Sequence, residues 1–102
     1  MTTYRATFDV YYQNKIRETG IPCKVRIDGN TIVISYEDNK GSVVYTGKET
    51  GEGHFKLWAD HHGRICRASL HRFADDPEVF EGWWLEDRYE GMWRLTLGLT
   101  LE

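Results

Sequence analysis

The residues best suited to chemistry in this chain are its four histidines and two cysteines. His61 and His62 stand side by side in Asp60-His61-His62-Gly63, a segment with the composition of a turn, and no cysteine or carboxylate lies at ligand spacing from them along the chain. They read as solvated turn residues. His54 and His71 fall on the outer face of one hairpin as a diagonal pair, with Glu52 opposite His71. Three such groups are able to hold a metal, but the pattern is also that of a solvated His/Glu surface, which is the expectation taken. Cys66 and His71 are five residues apart on one strand, so they face opposite sides and cannot act there as nucleophile and base. Asp75, Asp76 and Glu78 form an acidic turn, and Gly51-Glu52-Gly53 lacks the following helix of a phosphate loop. No catalytic residue, no cofactor and no metal follow from these positions.

The elements that must carry these residues belong to one domain. A chain of 102 residues has room for a single modest core, and 40% hydrophobic, 14% aromatic and 28% charged residues with two prolines is a globular composition. The domain is taken as residues 1–100. Leu101-Glu102 matches the pair left by a common cloning site before an affinity tag and is set outside it. A formal charge of −3 with scattered lysines and arginines argues against nucleic acid as partner. No stretch approaches the ~20 apolar residues of a membrane-crossing helix and no signal peptide is legible, so no membrane and a cytoplasmic address are expected. Cys23 and Cys66 then read as buried free thiols.

Period-two alternation runs through nearly every segment, and a helical period is sustained nowhere. Tyr4, Ala6, Phe8, Val10 and Tyr12 alternate with polar residues in a first strand. Turn compositions recur about every 8 to 12 residues, as in a meandering antiparallel sandwich or barrel. A turn at Gly29-Asn30 sets Ile27 against Ile32, Val25 against Ile34 and Cys23 against Tyr36. A turn at Asp87-Arg88 sets Trp84 opposite Gly91 and Trp93 opposite Gly82, so that each indole fills the space its partner leaves empty. The same register pairs Phe80 with Leu95, Glu81 with Arg94 and Trp83 with Met92. For His54 to Leu70 a four-residue loop, Asp60 to Gly63, sets Leu57 against Cys66, Phe55 against Ala68 and Lys56 against Arg67. The predicted fold is all-β: a meandering antiparallel barrel, or barrel-like sandwich, of about seven to eight short strands.

The short meandering strands, the Gly-x-x-x-Leu of Gly53 to Leu57, Gly82-Trp83 and Gly91-Met92-Trp93 resemble the calycin barrels, which include lipocalins, avidins and fatty-acid-binding proteins. The resemblance spans Thr31 to Leu99. It implies a small apolar or amphipathic ligand held inside a barrel, and it carries over no site residue.

The expected function is a non-enzymatic binding or protein-interaction module. Phe8, Tyr36, Phe55, Trp84 and Trp93 compete for the barrel interior, which favours a filled barrel over a hollow one. Trp58, Ile65, Trp83, Leu85 and Met92 share an outer face, with Tyr11 and Tyr89 also assigned to solvent, and this face is the candidate surface for a homodimer or a protein partner. The alternative is a small enzyme with polar residues at a barrel mouth.

Overall fold

In the computed structural model, residues 2–13, 17–61 and 63–101 are described. Eight strands follow one another in the order β1 (Thr2–Tyr12), β2 (Arg17–Asp28), β3 (Thr31–Asp38), β4 (Gly41–Gly51), β5 (His54–His61), β6 (Arg64–Arg72), β7 (Val79–Glu86) and β8 (Tyr89–Thr100). Each pairs antiparallel with its neighbours in sequence, and β1 pairs with β8 to close the barrel. Closure removes the free sheet edges that an open eight-stranded sheet would expose. Among the described residues no helix is long and apolar enough to cross a membrane.

Alternation decides the inside. Ala6, Phe8, Val25, Ile32, Ile34, Val43, Tyr45, Phe55, Leu57, Leu70, Phe80 and Leu95 are buried in one continuous core, while their neighbours in sequence, apart from the buried Val79, are partly or fully exposed. The two ends of the barrel differ. At the end where β4 meets β5 and β6 leads into β7, Phe55 packs against Phe80 at 5.9 Å between ring centroids, and the guanidinium of Arg72 covers Phe80 at 5.1 Å. The connection 73–78 is tied to that end by the Leu97 N–H donating to the Glu78 carbonyl at 2.8 Å. This half is filled, as expected. The opposite end is open, so the expectation of a filled barrel holds for one half only.

The registers inferred from composition stand for two hairpins. Between β7 and β8, Trp84 lies opposite Gly91, Gly82 opposite Trp93, Phe80 opposite Leu95, Glu81 opposite Arg94 and Trp83 opposite Met92. Asp87 takes the positive φ of 57° that its turn requires. Between β2 and β3, Ile27 meets Ile32 and Val25 meets Ile34; the ladder ends at Lys24 and Ser35, before the expected pair Cys23 and Tyr36. The β5–β6 register is different. Leu57 pairs with Ala68, Phe55 with Leu70, Lys56 with Ser69 and His54 with His71, because the turn is tighter than expected and Gly63 supplies its positive φ of 84°. The slip is two residues. A two-residue slip returns every side chain to its original face, so the apolar pattern cannot detect it, and it relieves the like-charge pair of Lys56 and Arg67.

Glycines permit the closure. A Cβ on Gly82 would collide with the backbone of Ser69 on β6, and one on Gly91 with the Tyr11 carbonyl of β1 and the Trp84 ring. Gly47 faces Lys56 and Leu57 in the same way, and Gly98 would set a Cβ 2.7 Å from the Arg5 carbonyl. The tryptophans opposite use the room. Trp93 Nε1–H donates to the Ser69 carbonyl at 3.0 Å, the oxygen that a Gly82 side chain would strike, and Trp84 Nε1–H donates to Met92 O at 3.2 Å. Gly82→Val and Gly91→Val are each expected to lower stability by about 1–3 kcal/mol or more, since the obstacle is backbone that cannot rotate away. Gly51→Ala, whose Cβ would come no nearer than 3.8 Å to His54, is expected to change it by less than about 0.5 kcal/mol. Urea melts of the three variants check this, and equal midpoints would contradict it.

Candidate functional site

The open end is a cup of about 520 Å³, within the range of small-molecule sites. Its wall is aromatic: Phe8, Tyr12, Tyr36, Tyr45, Trp84 and Trp93 line it. These rings hold one another edge-on or tilted, Phe8 with Tyr36 at 4.8 Å, Tyr12 with Trp84 at 5.3 Å and Tyr45 with Trp93 at 5.4 Å between centroids. A wall locked by such contacts is formed before any ligand arrives. Its lip is charged, with Glu18, Glu37, Asp38 and Glu86 set against Arg64 and His61.

His61 organises one side of that lip. It ends β5 with inward parity, and its ring reaches Asp38 Oδ2 of β3 through Nε2 at 2.7 Å and Glu86 Oε1 of β7 through Nδ1 at 3.0 Å. The histidine side chain is 16% exposed and each carboxylate 27%, so the three groups sit partly withdrawn from water. Cys66 lies beside Glu86 in the β6–β7 ladder and is buried. One ligand atom each from His61, Cys66 and Glu86 lies within 4.8 Å of the other two. The phenol of Tyr45 approaches Glu86 Oε2 at 3.5 Å, a long contact.

Burial sets the protonation of the neighbours. It pushes the Tyr45 and Tyr36 phenols well above their usual range, with the Glu86 charge adding to the shift, so both stay protonated. The Tyr12 phenol and the Cys66 thiol are raised as well, first by burial and then by nearby charge: Glu18 and Glu86 at Tyr12, Glu86 at Cys66. Cys23, on the opposite wall, is pushed up to about 12 by burial. Both cysteines are free, as expected.

Each residue singled out from the sequence has a place. Phe8, Phe55, Trp84 and Trp93 are buried in the interior and Tyr36 is partly buried against it. All five point inward, but Phe55 belongs to the filled half and the other four to the cup. Trp58, Ile65 and Met92 are exposed on the outside, whereas Trp83 and Leu85 are half-buried, and the Trp83 indole N–H donates to Glu90 Oε2 at 3.2 Å. Arg67 stands between Trp58 and Leu85 in the ladder, so a cation interrupts the apolar face. Tyr11 and Tyr89 are exposed, as expected, although Tyr89 pairs with Glu86 and lines the lip of the cup.

The histidines depart from their assignments. His61 is not a solvated turn residue, because strand pairing brings Asp38 and Glu86 to it from elsewhere in the chain and Cys66 from the adjoining strand of its own hairpin; His62 lies outside the described residues. His54 and His71 are direct cross-strand partners, not a diagonal pair, with their Nδ1 atoms 3.2 Å apart. Among the described residues Glu52 does not complete a three-ligand group with them. The inward parity of Cys66 and Glu86 was available in the chain, but the expected four-residue loop from Asp60 to Gly63 took His61 out of β5 and so concealed the cluster.

No family model, curated protein or solved structure matches this chain.

The two buried thiols yield a direct check. A bulky aromatic disulfide reagent is expected to react with neither Cys23 nor Cys66 in the native protein and with both once it is unfolded, because only the ionised thiol attacks. A rapid native phase of one equivalent would show that one of them is reached from the cup.

Proposed function

We propose that the chain is a calycin-like, non-enzymatic binding protein whose open end takes a small amphipathic ligand, aromatic or aliphatic in body and cationic at one end. The observation that carries this reading is the pairing of a preformed aromatic wall with a lip holding more carboxylates than cations. An apolar body gains contact with the wall, while an ammonium group gains both the carboxylates and the ring faces. A carboxylate ligand meets the same lip with the wrong sign.

Acid–base catalysis at the barrel mouth is the second reading, favoured by the convergence of His61 with two carboxylates. It ranks lower because the neighbouring nucleophiles, Cys66 and Tyr45, are held protonated rather than activated. The exposed Trp58, Ile65 and Met92 leave an interaction role for the outer face as a separate proposal: self-association at micromolar concentration, read by sedimentation of wild type and Trp58→Glu. A wild type that sediments as a monomer at high micromolar concentration removes it.

The ligand reading is tested by isothermal titration calorimetry with tryptamine and indole-3-propionate, probes of similar size and opposite charge, in the presence of a chelator. Tryptamine is expected to bind at least about tenfold more tightly, and Glu86→Gln to erase most of that difference. Equal affinities, or no binding of either, would refute the reading.

A further inference from the structure

From three side chains on adjacent strands we infer a transition-metal site in the wall of the cup: His61 Nδ1, Cys66 Sγ and a Glu86 carboxylate oxygen are its ligands, Asp38 positions the histidine, and Zn²⁺ is the ion that fits. The inference is independent of the small-molecule reading, since the cluster exists whether or not an organic ligand enters.

The orientation of His61 is the first support. Its Nε2 stands 2.7 Å from Asp38 Oδ2 and its Nδ1 3.0 Å from Glu86 Oε1, so Asp38 holds the ring with Nδ1 turned toward the carboxylate of the His61, Cys66 and Glu86 group. A carboxylate on one ring nitrogen is also how a metal-bound histidine is oriented in zinc proteins, with the other nitrogen turned to the metal.

The second support is distance. Bonds of about 2.0–2.3 Å at tetrahedral angles place zinc ligands roughly 3.4–3.8 Å apart. The ligand atoms here already lie within 4.8 Å of one another, at most about 1 Å beyond that range. Cys66 and Glu86 are ladder partners, and His61 projects inward two residues from Ala59, which pairs with Cys66.

The donor set chooses the metal. One imidazole, one thiolate and one carboxylate suit zinc, whereas calcium and magnesium require oxygen ligands throughout. As the metal–sulfur bond forms, the Cys66 thiol releases its proton to solvent, and no redox step is involved. Three protein ligands leave a fourth tetrahedral position, and because His61 and Glu86 line the cup, that position is open to water or to a donor atom on a ligand.

Cobalt titration of the metal-stripped protein tests the site. One equivalent of Co²⁺ is expected to give tetrahedral visible bands with a thiolate-to-cobalt charge-transfer band in the near ultraviolet, and Zn²⁺ to displace both. Cys66→Ser is expected to remove the charge-transfer band. Asp38→Asn is expected to keep that band while weakening binding by about 10- to 100-fold. Cys23→Ser and His54→Ala leave the spectrum unchanged if the assignment is correct. Circular dichroism confirms the folding of each variant, and Glu86→Gln, expected to weaken Co²⁺ binding at least tenfold, replaces Cys66→Ser if that variant does not fold. A wild-type titration without a thiolate band, or a band indifferent to Cys66 and Glu86, overturns the site. The tryptamine titration is run in chelator, so either result stands without the other.

Discussion

A barrel this small closes only where neighbouring backbones come closer than a Cβ allows. Gly47, Gly82, Gly91 and Gly98 mark those places, each facing a carbonyl oxygen of an adjoining strand. Two of them serve twice, because Trp84 and Trp93 lie opposite Gly91 and Gly82 and finish their indole N–H groups on backbone carbonyls. The largest side chains therefore enter the interior without leaving a buried donor unpaired, and among the described residues no buried side-chain nitrogen or oxygen lacks a partner. The other close approaches of strands are absorbed by irregularities. The β1–β2 register shifts between Phe8 and Val10, where the Gly20 N–H is held by Asp9 Oδ1 at 2.9 Å, and the β4–β5 register shifts between Glu49 and Gly51, where Glu49 holds the Gly53 N–H at 2.8 Å.

The division into a filled half and a cup follows from where inward positions change character along the strands. Near the filled end these positions carry Ile32, Leu57, Leu70 and Phe80, whereas toward the other end they carry Asp38, His61 and Glu86. Charged groups withdrawn this far from water are costly unless they satisfy one another. Asp38, His61 and Glu86 do so through contacts of 2.7 and 3.0 Å, and the excess of carboxylates over cations at the lip is the feature that an ammonium group or a metal ion would relieve. The aromatic wall beneath raises the stakes, since its low polarity strengthens whatever electrostatic contact forms above it.

Much of this was legible in the chain. Alternation set the inward and outward faces, and with them the all-β class and most of the interior, because a strand buried on one side must repeat every two residues. The Trp/Gly reciprocity between Gly82, Trp84, Gly91 and Trp93 was readable because five cross-strand pairs agreed on one register. The β5–β6 hairpin was not readable to the residue. Its alternatives differ by a two-residue slip that preserves both faces, and only the geometry of the turn at Gly63 separates them.

Composition and periodicity by themselves therefore determined that this protein is a small antiparallel β structure, most of the residues it hides, and where the β2–β3 and β7–β8 hairpins close. Tertiary structure alone decided that the sheet meets itself through β1 and β8, that one end stays open, and that Asp38, His61, Cys66 and Glu86 share a site. Alternation is a local property of each strand, carried by nearest neighbours. The cluster joins four strands, with Asp38 and Glu86 lying 23 and 25 residues from His61, and its existence depends on the summed registers around the barrel, which no single segment encodes.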